Sequence, residues 1–409
     1  MVTERVSLSG DLLDKQTLSK VLDILNLHGV SFRIRRFLIG EFTNEPTLID
    51  IFLKAPDLPT MRKALEACAE HGASFNIDSI QLVEADMDGV LPEGFYSTTN
   101  FTTHLMLDDH WIEVEKLEMD CGIRVWREGE GWRASTCPMH RVRKGDLMVV
   151  GFSGVRVTPL EEEQRDDDEF RFMSNEVSSE RPKRRMIEHA ADAIRKCKEE
   201  GKRVLFVGGP AIVHSGSAPL LEKLVRAGWI DVLFAGNALA AHDIEANMLG
   251  TSLGVDLRTG AGSAHGHTHH LRAINRVRRA GSIRAAVESG LITGGVMHAC
   301  VQLGVPYVLC GSIRDDGPLP DVITDVVEAA DAMRDQIGSV GVCLMVATTL
   351  HSVATGNILP ATVKTYCVDS DADTVIKLTD RGTHQAVGLV TDCEFVLNAL
   401  VACLEGSSN

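Results

Sequence analysis

Short apolar runs that end in small or polar residues recur through the second half of the chain. Five such runs are Val204–Val207, Val232–Ala235, Tyr307–Cys310, Val342–Ala347 and Thr365–Val368. Apolar runs of this length, separated by stretches long enough for a helix, predict buried parallel strands. Because ligands of an open parallel sheet bind beyond the carboxyl ends of its strands, we expect a ligand site at the residues that follow these runs. The alternative is that the glycines there only form turns.

The N-terminal part of the chain combines helical and strand patterns. Apolar residues recur at helical spacing in two segments and indicate strands in four others. In chain order these segments are Val6–Leu8, Leu13–Leu27, Ser31–Leu38, Leu48–Leu53, Met61–His71 and Ser74–Val83. The order is β-α-β-β-α-β, which predicts a ferredoxin-like α+β domain at residues 1–85. This fold alone does not assign a function.

The middle of the chain, residues 86–170, is rich in short alternating strands with Gly, Pro and Trp between them. The predicted strands are Trp111–Val114, Ile123–Trp126, Trp132–Ser135, Leu147–Val150 and Val155–Val157. The acidic run Glu161–Glu169 predicts an exposed connection, and Pro182 suits the first turn of a helix that continues through Met186–Lys198. The fold class is therefore α/β: a ferredoxin-like unit, a β-rich middle region and a parallel-sheet domain at residues 171–409.

Composition narrows the class of protein. A formal net charge of −16 disfavours a nucleic-acid binder, and the basic clusters Arg181–Arg185 and Arg272–Arg284 lie in helical patterns. Ten cysteines form no CxxC pair, which is typical of reduced thiols in the cytoplasm. Only a short apolar stretch follows Glu4 and Arg5, and no apolar run approaches the ~20 residues of a membrane span. We expect a cytoplasmic protein that binds neither nucleic acid nor membrane.

Two of the strand ends carry residues suited to a nucleotide. The turn Gly208-Gly209-Pro210-Ala211 would let a phosphate or a ribose approach the backbone, although it is not a GxGxxG fingerprint. Asn237 follows the second run. Its amide either contacts a ligand or caps the next helix, and the sequence leaves both open.

Acidic residues follow the third and fifth runs. Asp316 lies in the loop Gly311–Asp321. It either accepts hydrogen bonds from ribose hydroxyls or forms an Asx-turn before a helix predicted over Val322–Arg334. Asp369 directly follows the fifth run and is a similar candidate.

Two further segments are dense in polar side chains. His265–His270 has no carboxylate or Cys at ligand spacing, so we expect no metal site and favour a loop that contacts substrate or caps a helix. In Phe172–Pro182, a serine with Glu180 would cap the following helix. Alternatively, Glu176 is a proton acceptor and Arg181 binds a carboxylate.

These motifs occur together in a fixed order. They are Phe95–Asn100, Phe172–Pro182, Gly208–Ala211, Gly236–Asp243, Thr349–His351 and Thr355–Asn357. The set resembles the archaeal-type, NAD-dependent ornithine cyclodeaminases, whose domains also form the C-terminal half of a bifunctional arginine-catabolic enzyme, arginine dihydrolase/ornithine cyclodeaminase, of cyanobacteria. The first 85 residues resemble the conserved region of lysine-oxoglutarate reductase/saccharopine dehydrogenase (LOR/SDH). The C-terminal part resembles the NAD-binding fold of deoxyhypusine synthase, which would explain a Rossmann-like NAD site without GxGxxG.

The resemblance implies a set of NAD contacts, which agrees with the strand ends except at Asp392. The implied contacts are Asn237, Ala238, Asp316, Thr348, Thr349, Leu350, His351, Asp369, Asp392 and Cys393. It also implies the reaction: NAD+ takes hydride from ornithine, ammonia leaves on ring closure, and the hydride returns to give proline.

Catalysis would need a cation for the substrate carboxylate and groups that handle protons. Candidates for the cation are Arg124, Arg156 and Arg181, and those for the proton acceptor are Glu176 and Asp316. Asn100 or His267 would help to place the substrate. The family resemblance also favours a homo-oligomer.

Three other functions use the same features. A saccharopine-type amino-acid dehydrogenase would accumulate NADH, and a non-catalytic NAD-sensing regulator would bind NAD without turnover. A deoxyhypusine-synthase-like transferase would need a reactive lysine near the cofactor, and the late lysines Lys364 and Lys377 lie in no strand-end motif.

Overall fold

The chain forms two compact units, Met1–Glu163 and Gln164–Asn409. The computed structural model describes residues 2–10, 17–38, 47–69, 73–75, 80–108, 110–129, 131–158, 180–252, 255–256, 269–315, 317–380 and 386–406. The predicted connection 161–169 lies outside these residues. Among the described residues, no helix is long and apolar enough to cross a membrane.

The first unit begins with a four-stranded antiparallel sheet and two helices. Its elements are β1 (Val2–Gly10), α1 (Thr17–Leu27), β2 (Ser31–Leu38), β3 (Thr47–Ala55), α2 (Leu58–Ala69) and β4 (Ala73–Phe75). The strand order β2-β3-β1-β4 is that of a ferredoxin-like fold, so the predicted β-α-β-β-α-β order is confirmed. Alternate residues of β3 (Ile49, Ile51 and Leu53) pack with Val21 of α1 and Met61 of α2 in a buried core.

The prediction of a single strand over Ser74–Val83 was wrong. Ala73–Phe75 pairs with β1, whereas the next strand, β5 (Gln81–Glu84), pairs with a strand of a second sheet. Alternation of apolar and polar residues shows that a strand has one covered face, but it does not show which sheet the strand joins. The domain boundaries at residues 85 and 170 stay predictions.

The second sheet of this unit has seven strands. After β5 come β6 (Thr102–Leu107), β7 (His110–Glu115), β8 (Gly122–Glu128), β9 (Gly131–Cys137), β10 (Leu147–Val150) and β11 (Val155–Thr158). Their order is β11-β6-β7-β9-β8-β10-β5. All five strands predicted in the middle region are present. Inward-facing residues such as Leu105, Ile123 and Val149 form its core.

The second unit alternates strands and helices. Its strands are β12 (Arg203–Gly208), β13 (Val232–Gly236), β14 (Thr251–Ser252), β15 (Val255–Asp256), β16 (Tyr307–Cys310), β17 (Val322–Ile323), β18 (Val340–Val346), β19 (Lys364–Asp369) and β20 (Ala386–Val390). Its helices are α3 (Glu180–Glu199), α4 (Ala211–His214), α5 (Ala218–Arg226), α6 (Asn237–Leu249), α7 (His269–Ala280), α8 (Ile283–Glu288), α9 (Val296–Leu303), α10 (Val326–Ile337), α11 (Leu350–Ile358), α12 (Ala372–Asp380) and α13 (Cys393–Glu405).

Seven of these strands form one parallel sheet in the order β17-β16-β13-β12-β18-β19-β20. The chain runs outward from β12 to β17 and then returns to the other side of β12 with β18. The topological switch point therefore lies between β12 and β18, as in a Rossmann fold. All five predicted parallel strands are confirmed.

Both faces of the sheet are covered, which explains why its strands are continuous apolar runs. In β12, Val204 and Phe206 pack into one core, and Leu205 and Val207 pack into the core on the opposite face.

The helix predicted over Val322–Arg334 starts later than expected. Val322–Ile323 is instead the short edge strand β17. Asp325 caps α10, because its carboxylate accepts from the backbone N–H of Val327 (2.8 Å) and Glu328 (3.0 Å).

Candidate functional site

The turn after β12 lies directly against the end of β18. The N–H of Gly209 donates to the carbonyl of Val346 at 3.0 Å. A Cβ on Gly209 would lie 2.7 Å from the carbonyl carbon of Ala347, and closer still to its oxygen. Only glycine fits at residue 209, and this close contact lies at the switch point, where the ligand crevice of a Rossmann sheet is expected.

His351 lies at the same edge of the sheet, in the first turn of α11. A Cβ on Gly236, at the end of β13, would lie 2.9 Å from Cε1 of this imidazole. Nδ1 of His351 is 3.3 Å from Oγ1 of Thr348. Burial lowers the pKa of His351, and the Asp315 carboxylate opposes this only in part, so the imidazole is neutral at neutral pH.

Asn237 connects the end of β13 to the loop after β16. Its Nδ2 donates to Oδ1 of Asp315 at 3.3 Å, and its Oδ1 accepts from the N–H of Leu319 at 3.1 Å. Oδ2 of Asp315 accepts from the N–H of Ser312 at 2.7 Å. The N-cap of α6 is Gly236, and the Asn237 side chain bonds to this loop, so the capping alternative for Asn237 was wrong.

Two helices begin at the crevice without a side-chain cap. The N-cap residues of α6 and α11 are Gly236 and Thr349, and neither makes a side-chain cap hydrogen bond. The first N–H groups of a helix have no partner within the helix, and they favour anions and hydroxyl oxygens. Ala238 and Leu350, the latter 79 % exposed, lie in these first turns.

Asp369, Asp392 and Cys393 lie farther along the sheet. Oδ1 of Asp369 accepts from the N–H of Asp371 at 3.0 Å. Asp392 caps α13, accepting from the N–H of Glu394 at 2.7 Å. Sγ of the buried Cys393 is 3.3 Å from Oγ of Ser215, which directly follows α4. Asp392 is therefore bonded to α13, and Cys393 contacts Ser215 near the turn at Gly209.

The catalytic candidates fall in different parts of the chain. Asn100 is buried in the first unit, and Arg124 and Arg156 lie on β8 and β11 of the same unit. Arg181 lies in α3, and its side chain is outside the description. Glu176, His267 and Asp316 lie outside the described residues.

The two described arginine candidates differ in their partners. Arg124 pairs with Asp146 at 3.6 Å. The Arg156 guanidinium lies over the ring of Trp111, 4.4 Å from its centroid, and its buried Nε has no hydrogen-bond partner.

Sequence reasoning missed a polar cluster on α6. Nδ1 of His242 is 3.0 Å from Oε2 of Glu245, a fully buried carboxylate. The hydroxyl of Thr251 donates to Oε1 of Glu245 at 2.9 Å and is 2.8 Å from Nδ1 of His269. The spacing of His242 and Glu245, three residues apart on a helix, was the available signal. Within the described residues, no group of three or more His, Cys, Asp or Glu side chains is placed to hold a metal ion.

Substitution of Asn237 by alanine tests the connection between β13 and the loop. The buried N–H of Leu319 would lose its acceptor, so we expect the free energy of unfolding to fall by about 1–3 kcal/mol. Because the loop would no longer be held at the crevice, we expect the Kd for NAD+ to rise about tenfold, measured by calorimetry. Asn247→Ala is the matched control, since Asn247 accepts from the N–H of Thr293 at the far end of the same helix. Equal Kd values for the two variants would contradict the role of Asn237.

Three family descriptions match successive parts of the chain. "LOR/SDH bifunctional enzyme conserved region" matches residues 3–101. "Arginine dihydrolase ArgZ-like, C-terminal, first region" matches residues 102–187. "Arginine dihydrolase ArgZ-like, C-terminal, Rossmann fold" matches residues 188–400.

Relatives match over nearly the full length. The ornithine cyclodeaminase of Methanothermobacter thermautotrophicus is 49% identical, covering 96% of this chain and 95% of that one. A crystal structure of a LOR/SDH protein from Methanococcus maripaludis is 47% identical, with a TM-score of 0.76, covering 81% of this chain and all (100%) of the other. The ternary complex of AgrE with ornithine and NAD+ is 35% identical with a TM-score of 0.54, covering 100% of this chain and 58% of AgrE. The chain therefore belongs to the family formed by the archaeal ornithine cyclodeaminases and the C-terminal regions of the ArgZ-like arginine dihydrolases.

Proposed function

We propose that this protein is an ornithine cyclodeaminase that converts L-ornithine to L-proline and ammonia, with NAD as its cofactor. The observation that carries the proposal is the switch point of a Rossmann sheet, in a chain 49% identical over 96% of its length to an ornithine cyclodeaminase. A relative that shares these domains has been crystallised with ornithine and NAD+ together.

The residues at the crevice fit NAD. The glycine-only contact at Gly209 brings the turn after β12 against the end of β18, and the uncapped starts of α6 and α11 offer N–H groups to phosphate and ribose oxygens. We assign the NAD contacts to residues that directly follow β13, β16, β18 and β19 and to the start of α13. These contacts are Asn237, Ala238, Asp316, Thr348, Thr349, Leu350, His351, Asp369, Asp392 and Cys393.

When bound, NAD+ accepts a hydride from the α-carbon of ornithine and returns it to the cyclic imine. The chain's own residues bind and orient the substrate and move its protons. His351 is neutral, so it offers one N–H donor and one acceptor next to Thr348. The assignments of Glu176, Arg181, Asn100 and His267 to catalysis and substrate placement stay proposals.

The test is turnover of ornithine with a catalytic amount of NAD+. We expect ammonia and proline in equal amounts and no net increase in NADH absorbance, because each cycle returns the hydride. Accumulating NADH with saccharopine or a similar amine as substrate would instead favour a dehydrogenase. NAD+ binding without turnover of any amino acid would favour a regulator, and either result would overturn the proposal.

We also infer a cytoplasmic homo-oligomer that acts in proline biosynthesis and has no nucleic-acid or membrane partner. The net charge of −16 and the apolar pattern of the sequence support the absence of such partners. Sedimentation velocity of the purified protein tests the oligomeric state, and a single monomeric species would contradict it.

A further inference from the structure

A chain of polar and ring contacts leads from the surface of the second unit to a buried carboxylate. His214, at the end of α4, is exposed, and its ring meets that of His242 edge-on at 4.6 Å between centroids. His242 is 7% exposed, and Glu245, which it contacts, is 0% exposed. Beyond Glu245, Thr251 and His269 continue the chain of polar contacts.

The contact between His242 and Glu245 fits one imidazole tautomer well. In the tautomer in which Nδ1 of His242 donates to Oε2 of Glu245, the lone pair of the imidazole lies on Nε2. The hydroxyl of Thr251 donates to Glu245, so Nδ1 of His269 donates to Thr251. A carboxylate behind Nδ1 is the arrangement that orients a histidine base and stabilises its protonated form.

His242 and Glu245 lie on the same face of α6 as Ala238, which is in the first turn of the helix. Ala238, His242 and Glu245 are spaced by four and three residues, so they share one face of the helix. His242 lies about 6 Å along the helix axis from Ala238 at a rise of ~1.5 Å per residue. His214 lies five residues beyond Gly209, at the end of α4, which starts just after the turn at the switch point.

We infer that His242, oriented by Glu245, is the group that exchanges protons with the amino groups of ornithine. This inference rests on the proposed function. An N–H bond of the α-ammonium breaks, its electron pair stays on the nitrogen, and the proton forms a new bond to Nε2 of His242. The δ-nitrogen releases two protons to solvent, one before its lone pair forms the new bond to the α-carbon and one after. The proton held by His242 passes to the departing amine as its C–N bond breaks, so one ammonia leaves and His242 returns to its neutral form.

Other ionisable groups near His242 complete the cluster. Within the described residues, α4 contributes His214 and α7 contributes His269 and His270, whose ring lies 5.9 Å from that of His242. Nδ1 of His270 is buried and has no hydrogen-bond partner, so it offers a further polar contact to a substrate amine. On α9, which also packs against α6, His298 is 2.9 Å from Arg226 and belongs to a different contact.

The test compares His242→Gln and Glu245→Gln with the matched control His298→Gln, a buried histidine outside the cluster. We expect His242→Gln to lower kcat about 10²–10⁴-fold, the usual contribution of a general base. Glu245 is a positioning residue. Because the imidazole of His242 would then be held less well, Glu245→Gln should lower kcat about 10–100-fold with little change in the KM for ornithine. The Kd for NAD+, measured by calorimetry, should stay within about threefold of wild type in all three variants.

Each outcome decides between the explanations. Normal NAD+ binding shows that a variant is folded. One variant changes His242 and the other changes Glu245, so if one of them misfolds, the kcat of the other still tests the inference. If wild type forms proline while both variants behave like His298→Gln, the inference is overturned and the proposed function stands. If wild type forms no proline from ornithine, the proposed function fails and the inference fails with it.

Discussion

Gly209→Ala is expected to remove most NAD+ binding and to destabilise the second unit. The new methyl group would overlap the carbonyl of Ala347, which is backbone and cannot rotate away. The turn after β12 would have to move away from β18, and the hydrogen bond from Gly209 to Val346 would be lost. We expect the free energy of unfolding to fall by about 3 kcal/mol, the upper end for overpacking. The Kd for NAD+ should rise on the order of 100-fold or more, because the turn at the switch point is displaced.

Gly338→Ala is the matched control for Gly209→Ala. A Cβ at residue 338 meets nothing within 4 Å, and its φ of −49° suits alanine. This control should leave the Kd for NAD+ unchanged. It should change the free energy of unfolding by no more than about 1 kcal/mol, and we expect an increase, because alanine reduces the conformational entropy of the unfolded chain. Chemical denaturation and calorimetry measure both quantities. If Gly209→Ala matched the control in both, the switch point would not be the cofactor site.

The parallel strands could be predicted from the sequence because burial on both faces makes each strand a continuous apolar run. In β12, every residue from Val204 to Gly208 is buried, so the pattern is unambiguous. The edge strands are less covered, and their signals are weaker: β17 has only two residues, and Gly388 interrupts the apolar run of β20. Once the strands were located, the position of the crevice followed from the rule for parallel sheets.

The contacts within the crevice could not be predicted, because they join residues far apart in sequence. The sequence placed Asn237 after a strand, but only the structure shows that its amide bonds to Asp315 and Leu319. The structure likewise shows that Asp392 caps α13, whereas the family resemblance had grouped it with the NAD contacts. The positions of the strand ends in the sequence identify residues near a ligand site. The hydrogen bonds in the structure then show which of these side chains already have partners within the protein.

The cluster around His242 was missed for a related reason. A histidine and a glutamate three residues apart on a helix are common, and most such pairs are solvated. Only the burial of Glu245 and the approach of Thr251 from β14 and of His214 from α4 make this pair unusual. Neither burial of a charged side chain nor the approach of a distant element is encoded in a local pattern.

Asp243, the neighbour of His242, holds α9 in place from another helix. Its two carboxylate oxygens accept from the N–H of Val296 and of Met297, each at 2.9 Å. A Cβ on Gly295, which precedes that helix, would lie 2.8 Å from both oxygens. Burial raises the pKa of Asp243 to about 6, and the two N–H donors oppose the shift only in part.

The raised pKa of Asp243 predicts the direction in which stability changes with pH. In the unfolded chain this carboxyl titrates near 3.8, so between about pH 4 and pH 6 the folded state holds the proton that the unfolded state has lost. Stability therefore falls as the pH rises through this window, by up to about 3 kcal/mol from this group. Below the window both states are protonated, and above it both are ionised, so the contribution is constant there.

Asp243→Asn should remove this pH dependence. Asparagine resembles a protonated carboxyl in shape and in having one acceptor oxygen, but it does not titrate. We therefore expect the free energy of unfolding of the variant, relative to wild type, to rise between pH 4 and pH 6, measured by urea denaturation at each pH. Asp371→Asn is the control, because hydrogen bonds from Thr374 and Asp373 lower the pKa of the exposed Asp371 below this window, and its difference from wild type should be flat there. Parallel stability curves for Asp243→Asn and wild type would mean that the carboxyl is already ionised at pH 4, and that the two helix N–H groups outweigh its burial.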